Sequence, residues 1–181
     1  MNRLLLLILV VATTTGYSQT FGLKGGLNVS SLGGDSQGVS SKTSFHVGLF
    51  MLAPLSEKVK IMPELVYSEQ GASANSPTGK INYNYLNLPV MFNFYPTEKF
   101  FLQVGPQLGI LASAEFTSGT NTVNVKSQLK DTDFALGLGL GADLQKVLLN
   151  ARYNLGLSSS SKATTGSFPN NVIQISIGFK F

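Results

Sequence analysis

The stretch Phe134-Ala135-Leu136-Gly137-Leu138-Gly139-Leu140-Gly141-Ala142-Asp143-Leu144 puts an apolar side chain at every even position and a small or acidic one at nearly every odd position. Successive side chains of an extended strand point to opposite faces, so this period of two describes a strand with one oily face and one slim face. The glycines alternate within the strand and open no helix, which excludes a phosphate-cradling loop.

Seven further segments repeat the pattern. Phe21, Leu23, Leu27 and Val29 form the first, Phe45, Val47, Leu49 and Met51 the second, and Val59, Ile61, Pro63, Leu65 and Tyr67 the third. Leu86, Leu88, Val90, Phe92 and Phe94 make the fourth, while Phe100, Leu102, Val104, Leu108 and Ile110 make the fifth. The seventh carries Val147, Leu149, Ala151, Tyr153, Leu155 and Leu157, and the last Ile173, Ile175, Ile177, Phe179 and Phe181. Between these residues stand mainly Gly, Ser, Asn and Gln with a few charges. That composition suits a narrow lumen better than a water-washed face. Charged residues are 12% of the chain, against roughly 25% in soluble domains, so the sequence is short of solubilising surface.

The connections alternate in length. Residues 54–58, 96–99 and 145–146 are short turns, whereas 32–43, 71–80, 116–132 and 158–170 are long. Tight turns at one rim and extended loops at the other are the mark of a membrane barrel. The fold expected is all-β: an eight-stranded antiparallel up-and-down transmembrane β-barrel with both termini on the periplasmic side. Each strand has about the ten residues that a tilted crossing requires. Aromatic residues gather near the rims, Phe21, Tyr95, Phe100, Phe179 and Phe181 at one and Phe45, Tyr67 and Phe134 at the other, as an interfacial girdle would.

Ahead of the barrel, Met1-Asn2-Arg3, an apolar run over 4–12 and the small polar segment 13–18 have the layout of a secretory signal peptide. Nine apolar residues are too few to cross a bilayer as a helix. Residues 1–18 are therefore expected to be removed, leaving 19–181 as one outer-membrane barrel domain. The 13 basic and nine acidic residues are scattered, and no basic block points to nucleic acid. Cysteine is absent, which excludes disulfides and thiolate chemistry, and no metal-ligand or cofactor-binding spacing occurs.

Pro63-Glu64-Leu65, Tyr85-Leu86-Asn87-Leu88-Pro89-Val90, Gly105-Pro106-Gln107-Leu108-Gly109, Ala151-Arg152-Tyr153-Asn154-Leu155-Gly156-Leu157 and Ile177-Gly178-Phe179-Lys180-Phe181 resemble the PorT-like outer membrane protein beta-barrel domain family. The resemblance implies an outer-membrane location in a Bacteroidetes-type cell. It also implies that Phe179 and Phe181 serve as the terminal signal read by the barrel-assembly machinery. Outer-membrane lipid and envelope or secretion proteins are the partners it implies. The family is defined by its barrel and shares no one activity.

Two sets of polar residues could carry chemistry. His46 is the single histidine, with Ser44 two residues away and Glu64 or Glu69 on the next strand. Its parity faces the lumen, whereas an enzyme acting on lipid needs its nucleophile on the outer wall, so no catalysis is expected. Lys24, Glu64, Asp143, Arg152 and Lys180 also face inward, with Glu115 and Asp133 nearer the loops. Isolated charges there are costly to desolvate, so a paired lumen network centred on Arg152 and Glu64 is expected. The functions left open are a structural, adhesive or loop-binding barrel, a component of a secretion or transport assembly, and a barrel that binds or passes a small apolar ligand.

N-terminal sequencing of the protein recovered from membranes should begin at Gln19. Recovery of a chain that retains residues 4–12 would contradict the export reading.

Overall fold

The computed structural model describes residues 19–33, 39–74, 79–159 and 169–181. The strands are β1 (Thr20–Leu32), β2 (Val39–Pro54), β3 (Val59–Ala74), β4 (Gly79–Phe94), β5 (Phe100–Ser118), β6 (Asn121–Asn124), β7 (Thr132–Leu144), β8 (Val147–Gly156) and β9 (Asn170–Lys180). They hydrogen-bond in the order β4-β3-β2-β1-β9-β8-β7-β5, and β4 pairs again with β5. The ladder is antiparallel throughout and closes on itself as an eight-stranded barrel. The signal segment expected over residues 1–18 lies outside the described residues.

Alternation decides which way each side chain faces. Large apolar residues are exposed on all eight barrel strands, among them Leu23, Leu49, Leu65, Phe92, Leu102, Leu140, Leu149 and Ile175. An apolar surface that runs around the whole molecule has no stable place in water and suits lipid. The odd positions of β7 face inward, where space is scarce. A Cβ at Gly141 would collide with the Phe101 ring and the Leu149 carbonyl.

Three features differ from the sequence reading. First, β2, β4 and β5 run well past the apolar alternation. Beyond the lipid the outward positions need not be oily, yet the backbone still gains from pairing, so largely polar stretches continue the ladder, residues 40–41 against β3, 42–44 against β1, and 80–84 against β5. Second, the long 116–132 connection is partly ordered. β6 folds back on β5 through a turn in which Gly119 has φ +61°, and a single 3-10 turn, Lys126–Gln128, follows. Third, a register shift opposite Asn84 and Tyr85 inserts an extra residue in β5. The bulge reverses the parity beyond it, so Ala114 is buried and Glu115, expected inside, is exposed.

The aromatic girdle also needs one correction. Phe21, Phe100, Phe179 and Phe181 face outward at the turn end, as do Phe45, Tyr67 and Phe134 toward the loops. Tyr95 does not. Phe94 is the last outward residue of β4, so Tyr95 turns inward and is only 6% exposed.

β9 sits between β1 and β8, with Phe179 opposite both Leu23 and Val147. The Phe181 amide donates to the Phe21 carbonyl at 3.0 Å. Deleting residues 179–181 should therefore stop the barrel from closing and abolish heat-modifiable migration on gels. Normal migration of the truncated protein would show that this end of β9 is dispensable.

Candidate functional site

The lumen is filled in tiers, beginning at the short-turn end. Asp143, the last inward residue of β7, takes Lys180 from β9 and Lys60 from β3, the latter at 3.3 Å. The Tyr95 hydroxyl donates to the same carboxylate at 3.1 Å, and the Lys60 ammonium lies 4.3 Å from the Tyr95 ring centre. Just inside this ring lies an apolar floor of Phe50, Leu52, Met62, Met91, Phe101 and Leu148, with Tyr95 at its edge.

The central tier is ionic. Glu64 accepts from both terminal nitrogens of Arg152, at 3.2 and 2.5 Å, and from the Lys24 ammonium at 2.9 Å. The Arg152 side chain and the Glu64 side chain are fully buried. Gln103 accepts a further Arg152 hydrogen bond at 3.0 Å, which fixes the orientation of its amide. This bidentate geometry is what allows an ion pair to offset the loss of hydration. Three strands on different sides of the barrel, β1, β3 and β8, are thereby tied across the lumen.

The next tier is uncharged. Asn28 donates to Ser68 at 3.0 Å and to the Phe45 and Glu69 carbonyls, while its oxygen faces His46 Nδ1 at 2.8 Å and accepts from Gln174 at 3.1 Å. An amide oxygen can only accept, so Nδ1 carries a proton. Nε2 then faces the Ser176 hydroxyl at 2.8 Å. Asn154 donates to Gln174 at 2.9 Å, and Asn170 bonds Gln70. Toward the loops, Tyr83, Tyr85, Leu111, Ala114 and Leu129 close over the lumen, Leu129 arriving from the segment after the 3-10 turn. Beside them Asp133 accepts from Ser158 at 2.5 Å.

Four of the five inward charges singled out in the sequence thus meet as two pairs, Glu64 with Arg152 and Asp143 with Lys180, and Lys24 joins the first. The Ser44, His46 and glutamate combination does not assemble. Ser44 donates to the Glu69 carbonyl at 2.6 Å, and the Glu69 carboxylate pairs with Lys42. His46 instead stands between Ser176 and Asn28, in the order of a nucleophile, base and orienting group. All three are buried at 5%, 2% and 0% exposure. The Ser176 hydroxyl is thus enclosed within the lumen.

Sequence reading missed the two apolar closures. The signal was present in places where the alternation fails because both faces are apolar, Leu49-Phe50-Met51-Leu52, Met91-Phe92, Phe100-Phe101 and Leu148-Leu149, each at the turn end of its strand. Leu129 gave no such signal, because it lies in a connection and is placed by the β5–β6 fold-back.

The sequence profile of the family described as "Outer membrane protein beta-barrel domain" matches residues 17–162. The chain belongs to that family. No curated protein matches its sequence. Among solved structures, Ail, the attachment invasion locus protein of Yersinia pestis, is similar at TM-score 0.57 and 15% identity, over 91% of this chain and 99% of Ail. Ail in complex with the heparin analogue sucrose octasulfate gives 0.53 and 14%, over the same shares. Neisserial surface protein A gives 0.56 and 13%, over 92% of this chain and 99% of that one. At such identities the likeness is one of fold. As an outer membrane barrel, the protein holds its apolar outer wall in membrane lipid and its polar tiers inside.

Removing Arg152 leaves Glu64 with Lys24 alone inside the wall. Arg152→Ala should lower unfolding stability in lipid vesicles by roughly 3–5 kcal/mol, the usual cost of breaking a buried pair from one side. Adding Glu64→Gln should recover part of that loss, as read from urea midpoints. Full additivity of the two substitutions would show that the pair is not coupled.

Proposed function

We propose that this chain is a non-enzymatic outer-membrane barrel whose lumen is a structural core and whose work is done at its rims, in a structural, adhesive or loop-mediated binding role. The filled lumen carries this reading. Eight strands enclose a width that side chains can occupy, whereas water-filled porins use about 16 to 18. Here an apolar floor, a buried ion cluster, an amide network and an apolar cap follow one another along the axis. The ionic and amide tiers also interrupt any continuous oily path, which weighs against passage of an apolar ligand.

A role in attachment is supported only by a shared fold with Ail, so the partner of the loops is left to their own composition. That composition is polar, with Ser158-Ser159-Ser160-Ser161 and Ser118-Gly119-Thr120-Asn121. A second reading, a PorT-like component of a secretion or transport assembly in a Bacteroidetes-type envelope, rests on the sequence segments that resemble that group. Either reading has residues 1–18 removed on export, Phe179 and Phe181 presented to the barrel-assembly machinery, and the short turns and both termini in the periplasm.

The native chain has no cysteine, so single cysteines report orientation cleanly. Thr120→Cys, in the β5–β6 turn, should react with a membrane-impermeant maleimide on intact cells. Ser56→Cys, in a short turn, should react only after the outer membrane is opened. The reverse pattern would invert the topology.

A further inference from the structure

Each of the three short turns ends in a lysine immediately before its outgoing strand: Lys58 before β3, Lys99 before β5 and Lys146 before β8. Their carbonyls accept from the neighbouring strand, Lys58 from the Tyr95 amide at 2.8 Å, Lys99 from Asp143 at 2.7 Å and Lys146 from Lys180 at 2.8 Å. Residues directly opposite in an antiparallel ladder share a face. Tyr95, Asp143 and Lys180 all face the lumen, so the three exposed lysines stand on the lumen side of the rim and not on its lipid side. The first outward residues above them, Val59, Phe100 and Val147, are apolar.

Lys60 and Lys180 lie just inside this ring, and both are occupied by Asp143. The turn end therefore brings five lysines against three carboxylates, Glu57, Glu98 and Asp143. Among the described residues no ion pair engages Lys58, Lys99 or Lys146. By sequence the loop end has no such excess, because Lys42, Lys80, Lys126, Lys130 and Lys162 are balanced by Asp35, Glu69, Glu115, Asp131 and Asp133. Nor does the mouth lead anywhere, since Phe50, Met62, Met91 and Phe101 close the lumen directly behind it.

We infer that the turn-end mouth is a docking surface for an extended acidic segment of a protein. A cationic ring over a closed apolar floor attracts an anion and gives it no way through. Lipid phosphate fits less well, because the lysines stand on the lumen side by parity, while the first outward strand residues, Val59, Phe100 and Val147, are apolar and the other exposed charges of these turns, Glu57 and Glu98, are acidic. The compartment of the partner, the periplasm, rests on the orientation proposed above. The charge pattern and the binding do not.

The test uses the full mature protein in nanodiscs of phosphatidylcholine, with fluorescein-labelled oligo-glutamate as the probe. Wild type should bind it with an affinity that falls as salt rises. The triple variant Lys58→Gln, Lys99→Gln and Lys146→Gln should bind roughly tenfold or more weakly while still migrating as a folded barrel. The matching loop-end variant Lys80→Gln, Lys126→Gln and Lys130→Gln should bind as wild type does. Absence of wild-type binding, or equal losses in the two variants, would overturn the inference. So would spin-labelled phosphatidylglycerol enrichment that depends on the turn-end lysines without oligo-glutamate binding, since that assigns them to lipid. None of these readouts depends on which way the barrel faces in a cell, so a reversed labelling pattern would change the compartment and leave the docking surface intact.

Discussion

A peptide group in hydrocarbon must find its hydrogen bond within the protein, and a sheet meets that demand only when it has no edge. The β4–β5 pairing closes the ladder here. Closure then fixes parity: with register set around the ring, every residue faces either lipid or lumen, and a slip of one residue would exchange the two. The oily outer wall and the polar interior are two readings of the same constraint. The ladder is so favourable that it outlasts its cause, running on past the lipid through residues that alternate in no useful way.

The interior answers a second demand. A filled lumen must satisfy most of its polar groups from within, and here only a few buried atoms among the described residues, such as Arg152 Nε and Gln103 Nε2, have no hydrogen-bond partner. Glu64 shows how this is done, gathering Arg152 and Lys24 from distant strands onto one carboxylate. Asn28 does the same without charge, using its amide to join β1, β2, β3 and β9. These are crossbraces, long in sequence and short in space, and they resist flattening of a thin-walled cylinder in a way that neighbour-to-neighbour ladder bonds cannot.

The sequence made the strand count, the facing of most residues and the Arg152–Glu64 pairing legible because each follows from period two. It was silent where parity stops being the rule. Glu115 reads as inward until a bulge near Ala112 adds a residue, and nothing in residues 110–116 announces that insertion. Tyr95 reads as a girdle aromatic because it is next to Phe94, yet one position is half a period. His46 was placed in the lumen by parity, but its partners, Asn28 and Ser176, lie 18 and 130 residues away and depend on the order in which strands close. Local pattern specifies a face. Only the completed ring specifies a neighbour.

The unequal strands have a consequence of their own. From the three turns, the β2–β3 and β4–β5 hairpins rise with arms of 16 to 19 residues, whereas the arms of β7 and β8 have 13 and 10. About nine residues of β5 exceed what the membrane requires, roughly 20 Å of height at ordinary rise and tilt. The loop-end rim is therefore a parapet on one side and a ledge on the other, and the serine-rich connection after β8 departs from the ledge. Among the described residues, a large body approaching this rim meets the tall wall of β3, β4 and β5 on one flank and the shorter β7, β8 and β9 on the other. Strand length by itself thus gives this rim a direction, a lopsidedness that belongs to the hydrogen-bonded ladder and not to the sequence of the connections.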